Sequence, residues 1–175
     1  LGPLAIAAVM IAVATTPASA QYFGRNKVNY RTFNFDVLKT EHFDVYYYDE
    51  EGDAIPTAAR MAERWYTRLS RVLDHELAGR QPLIMYASHP HFEQTNAIQG
   101  DLDESTGGVT ESVKRRIVLP FSGSIAETDH VLGHELVHAF QYDIMGRWRV
   151  GGSVAMRMPL WFIEGMAEYL TIGPV

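Results

Sequence analysis

The sequence predicts an α+β fold, in which short strand patterns and longer helical patterns alternate unevenly along 175 residues. Three observations carry this. Two strand patterns come first, at residues 33–37 and 43–48. A long helical period then precedes three further strand patterns. Two helical patterns close the sequence in succession. No internal repeat, nucleotide-binding glycine loop or low-complexity tract interrupts this order.

Phe33-Asn34-Phe35-Asp36-Val37 alternates apolar and polar residues, the period of a half-buried strand. Phe43 to Tyr48 is a clearer strand, closed by Asp49-Glu50-Glu51-Gly52. Asp53 is placed as a helix N-cap with Pro56 in the first turn. Apolar residues recur at Ala58, Ala62, Trp65, Leu69, Val72, Leu73 and Leu77, and Gly79 is the expected stop. Pro82 to Ala87 reads as a buried strand, and Ser88 to Ile98 as a short helix or loop. The Gly, Asp, Ser and Thr of residues 100–111 predict a loop entering a strand near Gly107-Gly108-Val109-Thr110. Arg116 to Phe121 is the next strand. Ser124 and Glu127 have capping-box spacing and predict a helix to about Met145, stopped by Gly146. After a loop from Arg147 to Met158, Pro159 opens a last helix that ends at Gly173-Pro174.

Apolar residues make up 47% and charged residues 21%, an ordinary balance for one globular domain. A net charge of −6 argues against nucleic acid or an anionic membrane as partner. The absence of cysteine excludes disulfides, thiolate metal sites and cysteine nucleophiles. Leu1 to Ala20 carry no charge, are wholly apolar from Leu4 to Val13, and end Ala18-Ser19-Ala20. That is the pattern of a secretory signal peptide without its basic start, and predicts an exported domain beginning at Gln21, periplasmic or extracellular. The apolar run is short for a membrane span, which needs about 20 residues.

The most informative residues are His134-Glu135-Leu136-Val137-His138. On a helix, positions i and i+4 share one face, so both imidazoles can reach one metal ion. Glu135 lies about 100° around the helix, where it can flank the metal and act as base for an attacking water. A catalytic zinc has three protein ligands, so a third is required. Glu164 and Glu168 lie four apart in Trp161-Phe162-Ile163-Glu164-Gly165-Met166-Ala167-Glu168-Tyr169, among apolar residues. A glutamate in such a setting needs a partner. One of the two would complete the site, and the other would accept the outer N–H of a ligand histidine.

These two stretches together resemble the gluzincin branch of zinc metallopeptidases. The resemblance implies a zincin-like domain with a small twisted mixed sheet, an upper helix and two zinc-site helices. It implies one Zn2+ held by His134, His138 and Glu164, with Glu135 as general base and Glu168 orienting a ligand histidine. Gly107, Gly108 and Val109 resemble the glycine-led edge strand that binds substrate backbone, and residues 43–87 the upper lobe. The activity implied is zinc-dependent hydrolysis of peptide bonds in a peptide or protein substrate. The alternatives are an inactive zincin-like module that serves protein interaction, and a zinc hydrolase of non-peptide substrates. The edge strand lacks the Met-Glu-Asn of the aminopeptidases, and residues 139–163 form a longer insertion than theirs. Exported bacterial proteins with such a domain often continue into a β-propeller, so the resemblance leads to the expectation that 21–175 is a domain incomplete at its C-terminus, with a propeller beyond it.

Other residues carry blander expectations. His130 reads as a helix-surface histidine, His89 and His91 as polar loop residues, and His42 and His75 as partly exposed. Lys114-Arg115-Arg116 is expected to be a solvated turn or strand face. Trp65, Trp161 and Tyr46 to Tyr48 are expected in the core or on a strand face. Tyr142, His130 and Tyr169 are candidates for a transition-state donor by proximity, and none is assigned.

Overall fold

A computed structural model describes Lys27 and residues 29–96, 102, 104–111, 114–147 and 158–172. The leader, the expected start at Gln21 and most of the loop between the last two helices lie outside the described residues. Among the described residues the fold is α+β, a small mixed sheet with four helices. In chain order these are β1 (Asp36–Lys39), β2 (Phe43–Tyr47), α1 (Ile55–Leu73), β3 (Gln81–Tyr86), α2 (His89–Phe92), β4 (Val109–Glu111), β5 (Arg116–Pro120), α3 (Ile125–Arg147) and α4 (Leu160–Ile172). No helix among them is long and apolar enough to cross a membrane.

The sheet order is β1-β2-β3-β5-β4. The inner pairs β2–β3 and β3–β5 are parallel, and the outer strands β1 and β4 pair antiparallel with their neighbours. Strand side chains alternate between the two faces, so the core divides by residue parity. Phe43, Val45, Leu83, Met85, Ile117 and Leu119 pack with α1, α3 and Ala167 of α4 on one face. Tyr86 and Val118 pack on the other with Tyr48, Phe92 and Leu102. Burial on both faces explains why 117–120 is a continuous apolar run.

Several sequence expectations shift. The first strand is Asp36–Lys39, not 33–37. Phe33 instead packs its ring on Tyr48, with centroids 4.6 Å apart. Asp53 does not cap α1. The N-cap is Ala54, without a side-chain hydrogen bond, and Pro56 sits in the first turn as expected. Helix α1 stops at Asp74 in the left-handed region (φ 47°), ahead of Gly79. Aspartate tolerates that conformation better than most residues, and His75 N–H closes the end on Ser70 O at 3.0 Å. Gly79 (φ +78°) serves the following turn instead. Helix α3 continues past Gly146 to Arg147. Its capping box is half formed. Ser124 Oγ accepts from Glu127 N–H at 3.4 Å, while Ser124 N–H donates to Ser122. Trp161 is 74% exposed, not in the core, because the described residues put nothing over that side of α4.

Two features place α3. Leu132, Leu136, Val137 and Phe140 are fully buried, each contributing about 1.5–3 kcal/mol by burial. Gly133 lets three helices meet. A Cβ there would lie 2.6 Å from the Trp65 ring of α1 and 2.9 Å from Thr171 of α4. Trp65 is anchored at that crossing by its indole N–H, which donates to Asp129.

Candidate active site

His134 and His138 stand one turn apart on α3, with ring centroids 4.8 Å apart. Helix α4 packs beside them and brings Glu164 to the same point. The Nε2 atoms of the two histidines are 3.1 Å apart. Glu164 Oε2 lies 3.3 Å from His134 Nε2 and 3.4 Å from His138 Nε2. The outer ring nitrogens face acceptors. His138 Nδ1 lies 2.9 Å from Gln141 Oε1, and Glu168 Oε2 lies 3.4 Å from His134 Nδ1. An acceptor at each Nδ1 favours the proton there, which turns both Nε2 lone pairs toward Glu164.

Three lone-pair donors this close repel one another unless positive charge sits among them. Four-coordinate zinc has ligand distances of about 2.0–2.2 Å, so tetrahedral ligands stand about 3.3–3.6 Å apart. The two Glu164 separations, 3.3 and 3.4 Å, fall in that range, and the 3.1 Å between the two Nε2 atoms lies just below it.

Glu135 faces the other side, toward β4. It is 7% exposed. Burial pushes its carboxyl above the ordinary range, against the opposing pull of the Thr110 hydrogen bond and the two histidines. The Thr110 hydroxyl lies 2.7 Å from Glu135 Oε2 and 2.8 Å from its backbone carbonyl. Gly108 makes this approach possible, since a Cβ there would lie 2.9 Å from Glu135 Cγ and 3.1 Å from Val131. A Cβ on Gly107 would likewise meet Val131 at 3.1 Å. Val109 opens β4, an outermost strand of the sheet, so among the described residues no strand pairs with one of its backbone edges.

Two residues that the sequence reading missed belong to this arrangement. Gln141 is 2% exposed, and besides meeting His138 it donates from Nε2 to Ile163 O at 3.0 Å. It therefore ties a histidine of α3 to the backbone next to Glu164. The available signal was a polar residue three positions after His138, inside an otherwise buried run. Thr110 is the other, and nothing local in the sequence marks it. Of the candidate donors, Tyr142 stacks beside His138 at 6.4 Å. Its hydroxyl is pushed up by burial and by the charges of Glu135 and Glu164. His130 Nε2 faces Glu168 at 3.4 Å, while Tyr169 is 66% exposed. Elsewhere, His75 meets buried Asp143 at 2.8 Å and Arg115 pairs with the same carboxylate. Arg116 pairs with Glu111 at 2.6 Å, so these two cations of the 114–116 run are engaged.

Residues 106–173 match the model of a family described as a peptidase of plants and bacteria. The matched region supports a peptidase-like domain. It spans β4, β5, α3 and α4, and so takes in every residue of the arrangement just described. No curated protein and no solved structure matches the chain.

Proposed function

We propose that this peptidase-like domain is a zinc-dependent hydrolase of peptide bonds of the gluzincin type. His134, His138 and Glu164 hold the metal, and Glu135 is the general base. The observation that carries this is the convergence of three lone-pair donors within 3.1–3.4 Å, with a buried carboxylate at their side. Zinc bound there supplies a Lewis acid for the scissile carbonyl and brings the pKa of a bound water toward about 7.

The rest of the chemistry falls to the chain. Glu135 takes a proton from the attacking water and passes it to the leaving amine nitrogen. The Thr110 hydroxyl fixes the rotamer of Glu135. Gln141 and Glu168 fix the rings of His138 and His134. The edge of β4 that no described strand pairs would offer backbone N–H and C=O groups to an extended peptide, which would lie across Glu135 where Gly108 leaves room. The apolar segment Leu4 to Val13 with Ala18-Ser19-Ala20 supports export of the domain, with cleavage before Gln21.

The test is cleavage of casein and of a mixed peptide pool by the zinc-loaded protein. Cleavage that stops on chelation and returns with zinc is expected. Zinc-loaded protein that cleaves no peptide would remove the hydrolase reading.

A further inference from the structure

Helices α3 and α4 run antiparallel, as their meeting points show. Gln141 donates to Ile163 O, Glu164 faces His138, Glu168 faces His134, and Thr171 abuts Gly133. One turn back along α3 therefore pairs with one turn forward along α4. The sequence repeats the same residue types at that step, with histidine at 130, 134 and 138 and glutamate at 164 and 168. The triangle of His134, His138 and Glu164 thus recurs one turn along as His130, His134 and Glu168.

The second triangle has the dimensions of a metal site. Glu168 Oε2 lies 3.4 Å from His130 Nε2 and 3.4 Å from His134 Nδ1, and the three donor atoms all stand within 4.8 Å of one another. Tetrahedral zinc ligands stand about 3.3–3.6 Å apart. An ion pair alone would draw protonated His130 and Glu168 in to about 2.7–2.9 Å, the length of a charge-assisted hydrogen bond. The two histidines are the cationic partners that Glu168 meets among the described residues. The His130 and Glu168 side chains are 35% and 48% exposed, so an ion reaches them from solvent without any opening of the core.

We propose that His130 Nε2, His134 Nδ1 and Glu168 form a second divalent-metal site, set back to back with the first across the His134 ring. Two imidazoles and a carboxylate suit zinc. Coordination at His134 replaces the Nδ1 proton, which leaves to water. The second ion binds more weakly than the first, because two doubly charged ions then share one ring. It also engages the carboxylate that otherwise faces His134 Nδ1, so its binding disturbs the first centre and slows turnover. The site itself stands apart from the peptidase reading; the slowing of turnover rests on it.

The experiment titrates the metal-stripped protein with zinc and reads binding by calorimetry, beside peptide turnover at each zinc level. Wild type should bind two zinc ions per chain, the second at least about tenfold more weakly, so that dialysis removes it and leaves one. Turnover should peak as the first ion binds and fall as the second does. His130→Gln should keep the first ion and its turnover, and lose both the second ion and the fall. Glu168→Gln should also lose the second ion, since an amide is a poor zinc ligand, and serves if His130→Gln does not fold. A single zinc per wild-type chain with zinc in excess would overturn the second site while leaving cleavage, and so the peptidase reading, intact. A second ion retained by both variants would also overturn it, because that ion would sit elsewhere. A second ion lost in both variants, from a protein that cleaves no peptide at any zinc level, would uphold the site and sink the peptidase reading.

Discussion

Helix α3 carries Leu132, Leu136, Val137 and Phe140 at 0% exposure, whereas α4 fully buries Ala167 alone and leaves Leu160, Trp161, Tyr169 and Ile172 at 66–74%. The same contrast holds for the groups the two helices bring to the site. Glu135 and His138 are 7% and 8% exposed, while the Glu164 and Glu168 side chains are 49% and 48% exposed. Packing therefore positions Glu135 and His138 before any ligand arrives. Glu164 is positioned by α4, whose described contacts are fewer and whose outer face is open. The difference teaches where the binding energy of a metal would go. It would be spent mainly on fixing α4 against an α3 that is already rigid.

Substitutions on the two helices should then separate stability from metal binding. Phe140→Ala opens the core beneath the histidines and should cost about 3–5 kcal/mol of unfolding free energy, read by denaturant titration. A loss below about 1 kcal/mol would mean that α3 is not the rigid partner. Glu164→Ala should leave apo stability within about 0.5 kcal/mol, as expected of a half-exposed side chain. It should weaken zinc binding by more than the 10–100-fold or so typical of groups that merely orient a ligand. Competition against a chromophoric chelator measures this. Gln141→Ala falls within that 10–100-fold range or so, because His138 keeps its position but loses the acceptor at Nδ1 and the tie to Ile163. Unchanged zinc affinity in this variant would show that the link between the helices is idle.

The smallest effect lies away from the site. Burial raises the Glu51 carboxyl from 4.5 to about 7. The folded state then binds more protons than the unfolded chain between those values, so stability falls as pH rises from about 4.5 to 7. Glu51→Gln should flatten that decline in a series of thermal melts. An unaltered slope would show that Glu51 titrates normally.

The legibility of the molecule follows the same division. The shared face of His134 and His138 was readable because helical geometry alone puts i and i+4 on one face. The strands at 43–47 and 116–120 were readable because their apolar content follows burial on one or both faces of the sheet. Glu164 needed a second helix to be placed beside the first, which the apolar surroundings of the two glutamates and a family resemblance suggested. Gln141, Thr110 and the buried carboxyl of Glu51 were not readable. Their roles depend on which distant backbone or side chain packs against them, and no local period encodes that. The end of α1 was misread for a related reason. Asp74 takes a left-handed conformation that the sequence offered more obviously to Gly79. Trp161 was misread because its apolarity signals burial, while the described residues leave it open.

The central claim is that the site is a metal centre with Glu135 as its base. It is tested most directly by measuring zinc content and peptide turnover of Glu135→Gln beside the wild type. One zinc per chain in both proteins is expected, with turnover lowered by at least about 10²–10⁴-fold in the variant. Equal zinc content with turnover preserved would contradict it.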